Sequence, residues 1–527
     1  MPPALRRAFE GEPDWPLTNG RRIAFLLDAS SRTEARLLEA WIARHRPADP
    51  GANDCEAIRI PPTRRRRRVS LARLEACLSA GDDPLLAPLR VAWFPKERGG
   101  ERAAVLSDML RLRDPHDPGA LRQRLLLLYA RDRCRIVAGE PAPASELRLR
   151  WRESAGSDLE LTTGLAEFVA RQATLALERA ERRLRGARYK VPRLLHDDIL
   201  NRPAFRGGLA KLARELGRPP ERVTREASRD LREIAATHSP YVIDLVAHGI
   251  RLLYTRGYGE SLHYDRAQLE ETKALAQQHP VVFLPSHKSN LDHLVFQYAL
   301  HENGHPPNHT AGGINMNFFP VGPLVRRSGV FFIRRSFKDD PVYKFVLQHY
   351  VDYLVEKRFT LEWYVEGGRS RTGKLLPPRF GMLAYVVDAY RRGKAEDVIL
   401  VPVSIAYDQI QDVGEYAAEQ GGAPKQRESF SWFVRLIRRL GRRYGGIHIR
   451  FGEPLSLAKA LGRAAPATEP DPDEESLALR KLAFEVCVRI NRATPITPCS
   501  LVTLAMVGSG LRALSVEETV VALRNLL

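Results

Sequence analysis

The sequence has few cysteines and no long hydrophobic run, and each shortage excludes a class of protein. Its five cysteines are odd in number, scattered and without C-x-x-C spacing, which argues against a disulfide framework or a zinc site and indicates a reducing cytosolic setting. No run of about 18 apolar residues occurs, so we expect no transmembrane helix and only peripheral membrane association. The N-terminal residues MPPALRR lack the apolar core of a secretory signal.

Positive charge is in excess. The 527 residues include 82 Lys+Arg against 63 Asp+Glu, which gives a formal net charge of +19. Such a balance favours nucleic acid, an anionic membrane face or phosphorylated substrates as partners. Residues 64–68 are five consecutive arginines beside Pro61 and Pro62. They form either an anion-binding patch or, the interpretation that we prefer, a solvated loop.

We divide the chain into four regions by composition and periodicity. Residues 1–190 are predicted to form an accessory α/β domain, 191–265 a helical connector, 266–463 the main domain, and 464–527 a linker followed by helices. In the main domain strand and helix patterns alternate, which predicts an α/β fold with a mostly parallel sheet flanked by helices. We expect its strands at 281–285, 329–333, 360–365, 398–407 and 447–451, with another helix at 430–443.

The most informative stretch runs from Val281 to His293 and is predicted to be strand, loop and helix. It places His287 at the carboxyl end of a buried strand, where open α/β sheets bind ligands. On an ideal helix His287 and Asp292 would lie about 140° apart, so they do not pair as helix neighbours. With His287 in the turn and Asp292 in the first helical turn, the carboxylate can hold one imidazole nitrogen and leave the other free as a general base. The alternative, which is commoner, is that Ser289-x-x-Asp292 only caps the helix.

Two cationic segments and one apolar segment follow. Arg334 and Arg335 end a predicted strand, where their guanidinium groups would suit phosphate oxygens or would pair with nearby aspartates. The segment 366–374, EGGRSRTGK, combines two flexible glycines with three cations, although it lacks P-loop spacing. The apolar segment 318–325 is either a buried loop or a surface that meets acyl chains or a bilayer.

Four ordered blocks in the sequence resemble those of the glycerolipid acyltransferases. The blocks are His287-x4-Asp292, GVFFIRR at 329–335, EGGR at 366–369 and VPVSIAYD at 401–408. The third block, in its YxEGGRSRTG form, is most similar to the glycerol-3-phosphate acyltransferases of bacterial membranes and mitochondria. The segment ATPITP at 493–498 is similar to the C-terminal extension of that branch.

The resemblance implies transfer of a fatty acyl group from acyl-CoA, or acyl carrier protein, to the sn-1 hydroxyl of glycerol 3-phosphate. The product would be lysophosphatidate, the first intermediate of phospholipid synthesis. Residues 266–463 would be the catalytic domain, with His287 as the base and Asp292 as its orienting partner. The resemblance assigns the substrate phosphate to Arg335, with Arg334 as substitute, and it implies further substrate-binding residues, which are Lys288, Ser289, Glu366, Gly367, Gly368, Arg369 and, on the donor side, Pro402.

The same resemblance implies no metal and no cofactor other than the acyl donor. It places the protein peripherally on the cytoplasmic side of the cell membrane, against anionic phospholipid, and without a nucleic-acid partner. Lys288 stands where many relatives have arginine, and the chain ends earlier than many chains of this branch.

Two alternatives remain at this level. Dihydroxyacetone phosphate or lysophosphatidate could be the acceptor, which acceptor competition would decide. A non-catalytic basic protein that binds membranes or nucleic acid could also use the same scaffold. Salt-dependent binding without turnover of acyl-CoA would favour that second alternative.

Overall fold

The computed structural model describes residues 11–47, 54–64, 69–98, 102–104, 114–155, 164–186, 194–258, 262–319, 321–422, 444–462, 472–510 and 512–526. The chain divides into two compact units. The first consists of Met1–Leu194, Asn201–Gly207 and Ser239–Leu245, and the second of Leu195–Leu200, Gly208–His238 and Val246–Leu527. The predicted helix at 430–443 and most of the predicted linker lie outside the described residues.

In chain order the helices are α1 (Arg32–His45), α2 (Ala72–Ser79), α3 (Ala120–Tyr129), α4 (Ala144–Ala155), α5 (Leu165–Arg185), α6 (Leu195–Leu200), α7 (Pro203–Glu215), α8 (Pro220–Ile234), α9 (Pro240–Tyr258), α10 (Arg266–Gln278), α11 (Asp292–Glu302), α12 (Val321–Ser328), α13 (Pro341–Glu356), α14 (Gly381–Arg391), α15 (Val413–Gln420), α16 (Leu457–Leu461), α17 (Pro472–Ala493), α18 (Pro498–Gly508) and α19 (Val516–Leu526).

The first unit is built around a small mixed sheet. Its strands are β1 (Ile23–Asp28), β2 (Cys55–Ile60), β3 (Leu85–Trp93), β4 (Cys134–Ala138) and β5 (Ala142–Pro143). The order is β2-β1-β3-β4, with β5 also on β3; β1 pairs in parallel with both of its neighbours, and β4 runs antiparallel to β3. Every residue of β1 and β3 is buried, including Asp28 and Arg90, which pair with each other.

Arg64, in the first unit, keeps only 10% of its side chain exposed. Its guanidinium lies 3.2 Å from a carboxylate oxygen of Glu181, which also pairs with Arg90 and Arg185. Our preference for a solvated loop is therefore wrong for Arg64, because its guanidinium pairs with the buried carboxylate of Glu181. The other four arginines of the run lie outside the described residues.

The second unit contains the larger sheet. Its strands are β6 (Leu262–Tyr264), β7 (Val281–Pro285), β8 (His309–Gly313), β9 (Val330–Ile333), β10 (Leu361–Glu362), β11 (Ile399–Tyr407), β12 (Ile447–Phe451) and β13 (Leu455–Ser456). The order is β6-β12-β11-β7-β10-β8-β9, with β13 also on β11. From β11 to β9 all pairings are parallel, whereas β12 and β13 run antiparallel to β11. The predicted α/β class with a mostly parallel, helix-flanked sheet is confirmed.

Strand β7 lies near the centre of this sheet and positions the loop that follows it. All five of its residues are buried, and its parallel register sets Val281 beside Ile399 of β11. The ring of Phe283 packs edge-on against Phe296 of α11 with centroids 5.1 Å apart. Complete burial of a side chain of this size stabilises a fold by about 1.5–3 kcal/mol. The carboxyl end of β7 therefore leaves the core at a well-fixed place.

Several elements differ from the prediction. The expected strand at 360–365 contains only Leu361 and Glu362, because the chain turns at Tyr364, whose carbonyl accepts from Gly367 N at 2.9 Å. Strand β8, with the small-residue sequence HTAGG, was not predicted. A Cβ on its Gly312 would stand 2.7 Å from Val330 of β9, so close packing needs the glycine. Strand β6 was missed, and the segment at 318–325 that we considered a possible loop begins helix α12 at Val321.

Candidate active site

His287 lies in the loop between β7 and α11, which begins at Asp292. Its Nδ1 is 2.9 Å from Oδ2 of Asp292, although the two residues are five positions apart. This contact fixes the tautomer in which Nδ1 carries the proton and Nε2 holds a free lone pair. Within the part of the chain that the structure describes, Nε2 has no hydrogen-bond partner, and 22% of the side chain is exposed. The arrangement that we predicted for a general base is present.

Asp292 is completely buried and accepts four hydrogen bonds. Besides His287, Oδ2 accepts from the main-chain N–H groups of Lys288 at 2.6 Å and Ser289 at 2.8 Å. Oδ1 accepts from the hydroxyl of Tyr407 at 2.7 Å. Burying a charge is costly unless donors of this kind compensate it. The carboxylate therefore orients the imidazole and holds the main chain of the turn. The alternative that it only caps the helix is wrong, because the N-cap of α11 is Leu291, which has no side-chain capping hydrogen bond.

Two tyrosines that sequence reasoning missed complete the surroundings of this pair. The ring of Tyr364 stacks on the His287 imidazole with centroids 4.1 Å apart and planes at 28°. Burial, with the added charge of Asp292, raises the pKa of Tyr407 well above its ordinary value, so its hydroxyl stays a donor. Tyr407 ends β11, the neighbour of β7 in the sheet. The parallel register of these two strands therefore brings the hydroxyl to the aspartate.

Glu366, in the third block, holds the main chain of the histidine loop. Its Oε1 accepts from His287 N at 2.7 Å, and its Oε2 accepts from Leu376 N at 2.8 Å. The residue is buried, and this burial raises the pKa of its carboxyl group. Ser370 N also donates to the His287 carbonyl at 2.8 Å. One carboxylate oxygen of Glu366 thus positions the main chain of His287, and the other positions the main chain of Leu376.

The two glycines of this block differ. Gly367 has a φ of +65°, and a Cβ there would lie 2.7 Å from Cγ of Arg379, so another residue would be strained and crowded. Gly368 has open space where a Cβ would be built. The geometry explains Gly367 as a turn residue and leaves Gly368 free to lie beside a ligand.

Ser289 belongs to a second buried carboxylate centre that the sequence did not reveal. Its hydroxyl donates to Oδ2 of Asp412 at 2.7 Å. Asp412 also accepts from the main-chain and side-chain amides of Asn290 at 3.1 and 2.9 Å, and from Gln411 at 3.1 Å. Ser289 and Asp412 are both buried. The sequence signal that could have indicated this centre was Asp412, an acidic residue immediately before α15 and five positions beyond the end of β11.

The two arginines after β9 have different surroundings. Arg334 pairs with three carboxylates, those of Asp230, Glu233 and Asp340, at 2.8, 2.7 and 2.9 Å. Its guanidinium also lies 4.3 Å from the centroid of the Tyr343 ring. Arg335 is exposed, and among the described residues no acidic side chain pairs with it. Of the two, Arg335 therefore has its guanidinium available for a ligand.

The remaining candidates lie on either side of the histidine loop. The guanidinium of Arg369 stands 5.8 Å from the ring centroid of Tyr416, whose hydroxyl donates to the Lys288 carbonyl at 2.9 Å. Arg369 is therefore close to the histidine loop. Pro402 is buried inside β11, opposite Leu284 of β7, and its carbonyl accepts from Gly452 N at 2.8 Å. Its place is in the sheet, where it supports the site from the interior.

The comparison with known families matches two adjoining regions. Residues 266–406 match the family model described as Acyltransferase, and residues 416–527 match the one described as Glycerol-3-phosphate acyltransferase C-terminal region. The paired His287 and Asp292 at the end of the central strand lie within the first match. The class of the protein is thus that of an acyltransferase. The second match adds that residues 416–527 are similar to the C-terminal region of glycerol-3-phosphate acyltransferases.

Individual relatives agree with this assignment. Three proteins named "Putative acyltransferase plsB1", one from Mycobacterium bovis and two from strains of Mycobacterium tuberculosis, are each 40% identical to this chain over 318 residues. The matched region covers 60% of this chain and 50% of each relative, so the chain spans about half the length of these curated relatives. Among solved structures, the 1-acyl-sn-glycerophosphate (LPA) acyltransferase PlsC from Thermotoga maritima has a TM-score of 0.28 and 16% identity, with 51% of this chain and 81% of that chain covered.

Among the described helices, none combines the length and the apolar composition that are needed to cross a membrane.

Proposed function

We propose that the protein transfers a fatty acyl group from a thioester donor, acyl-CoA or acyl carrier protein, to the sn-1 hydroxyl of glycerol 3-phosphate. The observation that carries this proposal is the 2.9 Å contact between Nδ1 of His287 and Asp292 in a loop that leaves Nε2 without a partner among the described residues. An alcohol is a weak nucleophile at neutral pH, so a base of this kind is the chemistry that the reaction needs. The similarity of residues 416–527 to the C-terminal region of glycerol-3-phosphate acyltransferases supports the acceptor.

In the proposed mechanism Nε2 of His287 takes the proton of the acceptor hydroxyl as its oxygen attacks the thioester carbonyl. Asp292 stabilises the imidazolium that forms. When the tetrahedral intermediate collapses, the carbon–sulfur bond breaks and the proton passes to the departing thiolate. One ester forms, one thioester is lost, and the free thiol of CoA or carrier protein is released. Such a base accelerates a reaction by about 10²–10⁴-fold.

The other residues have supporting parts in this proposal. Glu366 positions His287 through its main chain, and Arg335 and Arg369 offer positive charge to the acceptor phosphate. Arg334 is left to stabilise the junction between β9 and α8, because its three carboxylate partners already use its guanidinium. No step requires a metal or a redox cofactor.

The test is the release of free CoA from palmitoyl-CoA by the purified chain with anionic lipid present. Release that needs glycerol 3-phosphate, with lysophosphatidate as the product, is the expected result, and His287→Ala should abolish it. Lys481→Gln, an exposed change on α17, serves as the control variant. Release that depends on dihydroxyacetone phosphate or on lysophosphatidate, and not on glycerol 3-phosphate, would contradict the assigned acceptor.

We further propose that the protein acts at the cytoplasmic face of the cell membrane as a peripheral protein. Phe319, two positions before the start of α12, is 85% exposed, and Leu324 on that helix is also exposed. A lipid-bound product and an apolar acyl chain favour a site beside the bilayer. In flotation with vesicles of anionic lipid, Phe319→Ser should weaken binding in high salt, where electrostatic attraction is screened. Equal binding of the two proteins in high salt would refute this role of Phe319.

A further inference from the structure

A cavity of about 470 Å³ opens beside the histidine loop, with Ser286 and Lys288 in its lining. Three segments form its walls. Ser286 and Lys288 come from the loop itself, and Gly373–Leu375 from the segment after the third block. Residues 490–492, 494–496 and 500 come from the end of α17, the turn that follows it and the first turn of α18. The last group lies in the region matched by the C-terminal family model. A region remote in sequence from the predicted site thus contributes one wall of a cavity that adjoins it.

Among the described residues that line this cavity, the charged side chains are all cationic, namely Lys288, Lys374 and Arg492. Within the described chain, none of the three has an ion-pair partner. Lys288 is the most enclosed, and burial lowers the pKa of its ammonium group despite the nearby charges of Asp292 and Glu366. The oxygens of those two carboxylates already accept hydrogen bonds from main-chain amides and from His287 and Tyr407.

An enclosed cation without a partner is destabilising, because its desolvation is not compensated. The free-energy cost is tolerated in a folded protein where a ligand of opposite charge supplies the missing partner. Three cations around one cavity, with no acidic side chain among its described lining residues, select for an anion that carries more than one negative charge. Arginine in particular presents two parallel donors that fit the oxygens of phosphate.

The walls that carry these cations are fixed by hydrogen bonds. On the C-terminal side, Thr494 Oγ1 lies 2.9 Å from Ser404 Oγ of β11 and donates to the Ile490 carbonyl at 2.9 Å. On the side of the third block, Ser370 Oγ donates to the Lys374 carbonyl at 2.6 Å. Ser370 is in turn bonded to the His287 carbonyl through its main-chain N–H. A preorganised anion site requires this kind of support, because the donors must be held before the ligand arrives.

We infer that this cavity binds a phosphate group through Lys288, Lys374 and Arg492, so that the C-terminal region completes the substrate site. The phosphate site itself does not depend on the proposed function, whereas the identity of the molecule that carries the phosphate does. It is either the acceptor, whose phosphate would then be shared with Arg335, or the nucleotide part of a CoA thioester. The volume exceeds that of one phosphate group and leaves room for the attached part of either molecule.

The test compares Lys374→Gln and Arg492→Gln with Lys481→Gln, which removes one positive charge from the exposed surface of the same helix as Arg492. Both Lys374 and Arg492 are themselves exposed enough for glutamine to be tolerated without repacking. Each cavity variant should raise the KM of the phosphate-bearing substrate by about 10- to 150-fold, the size expected for one charge-assisted hydrogen bond. The kcat should change little, and the control should match the wild type in both constants.

The two sources of phosphate give different patterns. If the acceptor carries the phosphate, the KM for glycerol 3-phosphate rises and that for palmitoyl-CoA stays the same. If the donor carries it, the KM for palmitoyl-CoA rises, whereas an S-palmitoyl thioester of N-acetylcysteamine, which lacks phosphate, is used equally by variant and wild type. Unchanged KM values for both substrates in both cavity variants would overturn the inference.

Direct binding separates this inference from the proposed function. Isothermal titration of the full chain with inorganic phosphate, with glycerol 3-phosphate and with CoA should give heat for the wild type and for Lys481→Gln, and much weaker binding for Lys374→Gln and Arg492→Gln. Binding lost in the cavity variants of a chain that never turns over acyl-CoA would refute the proposed function and leave the phosphate site standing. Normal turnover, with equal phosphate binding by the wild type and all three variants, would refute the phosphate site and leave the proposed function standing.

Discussion

Replacement of Asp292 by asparagine should separate the two duties of this carboxylate, and Asp412 offers a matched control. Each aspartate is buried and accepts four hydrogen bonds from the loop and its neighbours. Only Asp292 contacts His287. Asparagine keeps the shape of either side chain, but it removes the charge and directs an N–H₂ group at donors.

The expected loss of stability is therefore similar at the two sites. A hydrogen bond to a charged group contributes about 1.5–3 kcal/mol, and at least one such bond is weakened in each variant. Urea unfolding of Asp292→Asn and Asp412→Asn should show losses in this range. Activity should separate them, because an amide at position 292 no longer favours the proton on Nδ1 of His287. The kcat of Asp292→Asn should then fall by about 10²–10⁴-fold, the usual contribution of a general base.

The assay is acceptor-dependent release of CoA, measured under conditions in which both variants are more than half folded. We expect Asp412→Asn to keep most of its kcat, since its contacts are with Ser289, Asn290 and Gln411. Equal losses of kcat in the two variants would refute the reasoning, because the aspartate next to His287 would then act only by holding the loop.

Three further predictions concern the residues around this pair. Tyr364→Leu should lower kcat and reduce stability by about 0.5–1.5 kcal/mol, because it removes the ring stacked on His287. Tyr364→Phe keeps that ring and should retain the wild-type kcat and stability. Equal kcat in the Leu and Phe variants would exclude a positioning role for the ring. Arg335→Ala should raise the KM for glycerol 3-phosphate by about 10- to 150-fold with little loss of stability. Arg334→Ala should mainly lower the urea midpoint, because it breaks three ion pairs. The opposite pattern would assign the phosphate to Arg334 and the structural role to Arg335. Burial raises the pKa of Asp230 to about 6 from the ordinary 3.8, so the native state binds this proton more tightly than the unfolded chain does. The free energy of unfolding should therefore fall as the pH rises from about 3.8 to about 6. In urea titrations Asp230→Asn should remove this part of the pH dependence, and an identical pH dependence in both proteins would contradict the prediction.

The local part of the site was predictable from sequence because its contacts span few residues. His287 and Asp292 are joined by one turn and one helix start, and the proline, the polar turn and the apolar helix pattern all point to that geometry. The start of helix α10 is likewise fixed by a local contact, since Asp265 caps it through the N–H groups of Ala267 and Gln268.

The missed residues reach the site through strand pairing. Tyr407 is 115 positions from Asp292, and Asp412 is 123 positions from Ser289. Their approach depends on the parallel register of β11 against β7, which hydrophobic periodicity alone does not specify. The state of Arg334 was also beyond the sequence, because its partners Asp230 and Glu233 belong to a helix about a hundred positions earlier. Short edge strands such as β6 carry too few residues for a periodic pattern.

The central claim is that Nε2 of His287 is the base for acyl transfer to glycerol 3-phosphate. It is tested most directly by the single-turnover rate of lysophosphatidate formation in wild type and His287→Ala, at saturating glycerol 3-phosphate and on anionic vesicles. The account predicts a rate lower by about 10²–10⁴-fold in the variant, with binding of glycerol 3-phosphate and the urea midpoint nearly unchanged. A variant that forms lysophosphatidate at the wild-type rate would contradict it.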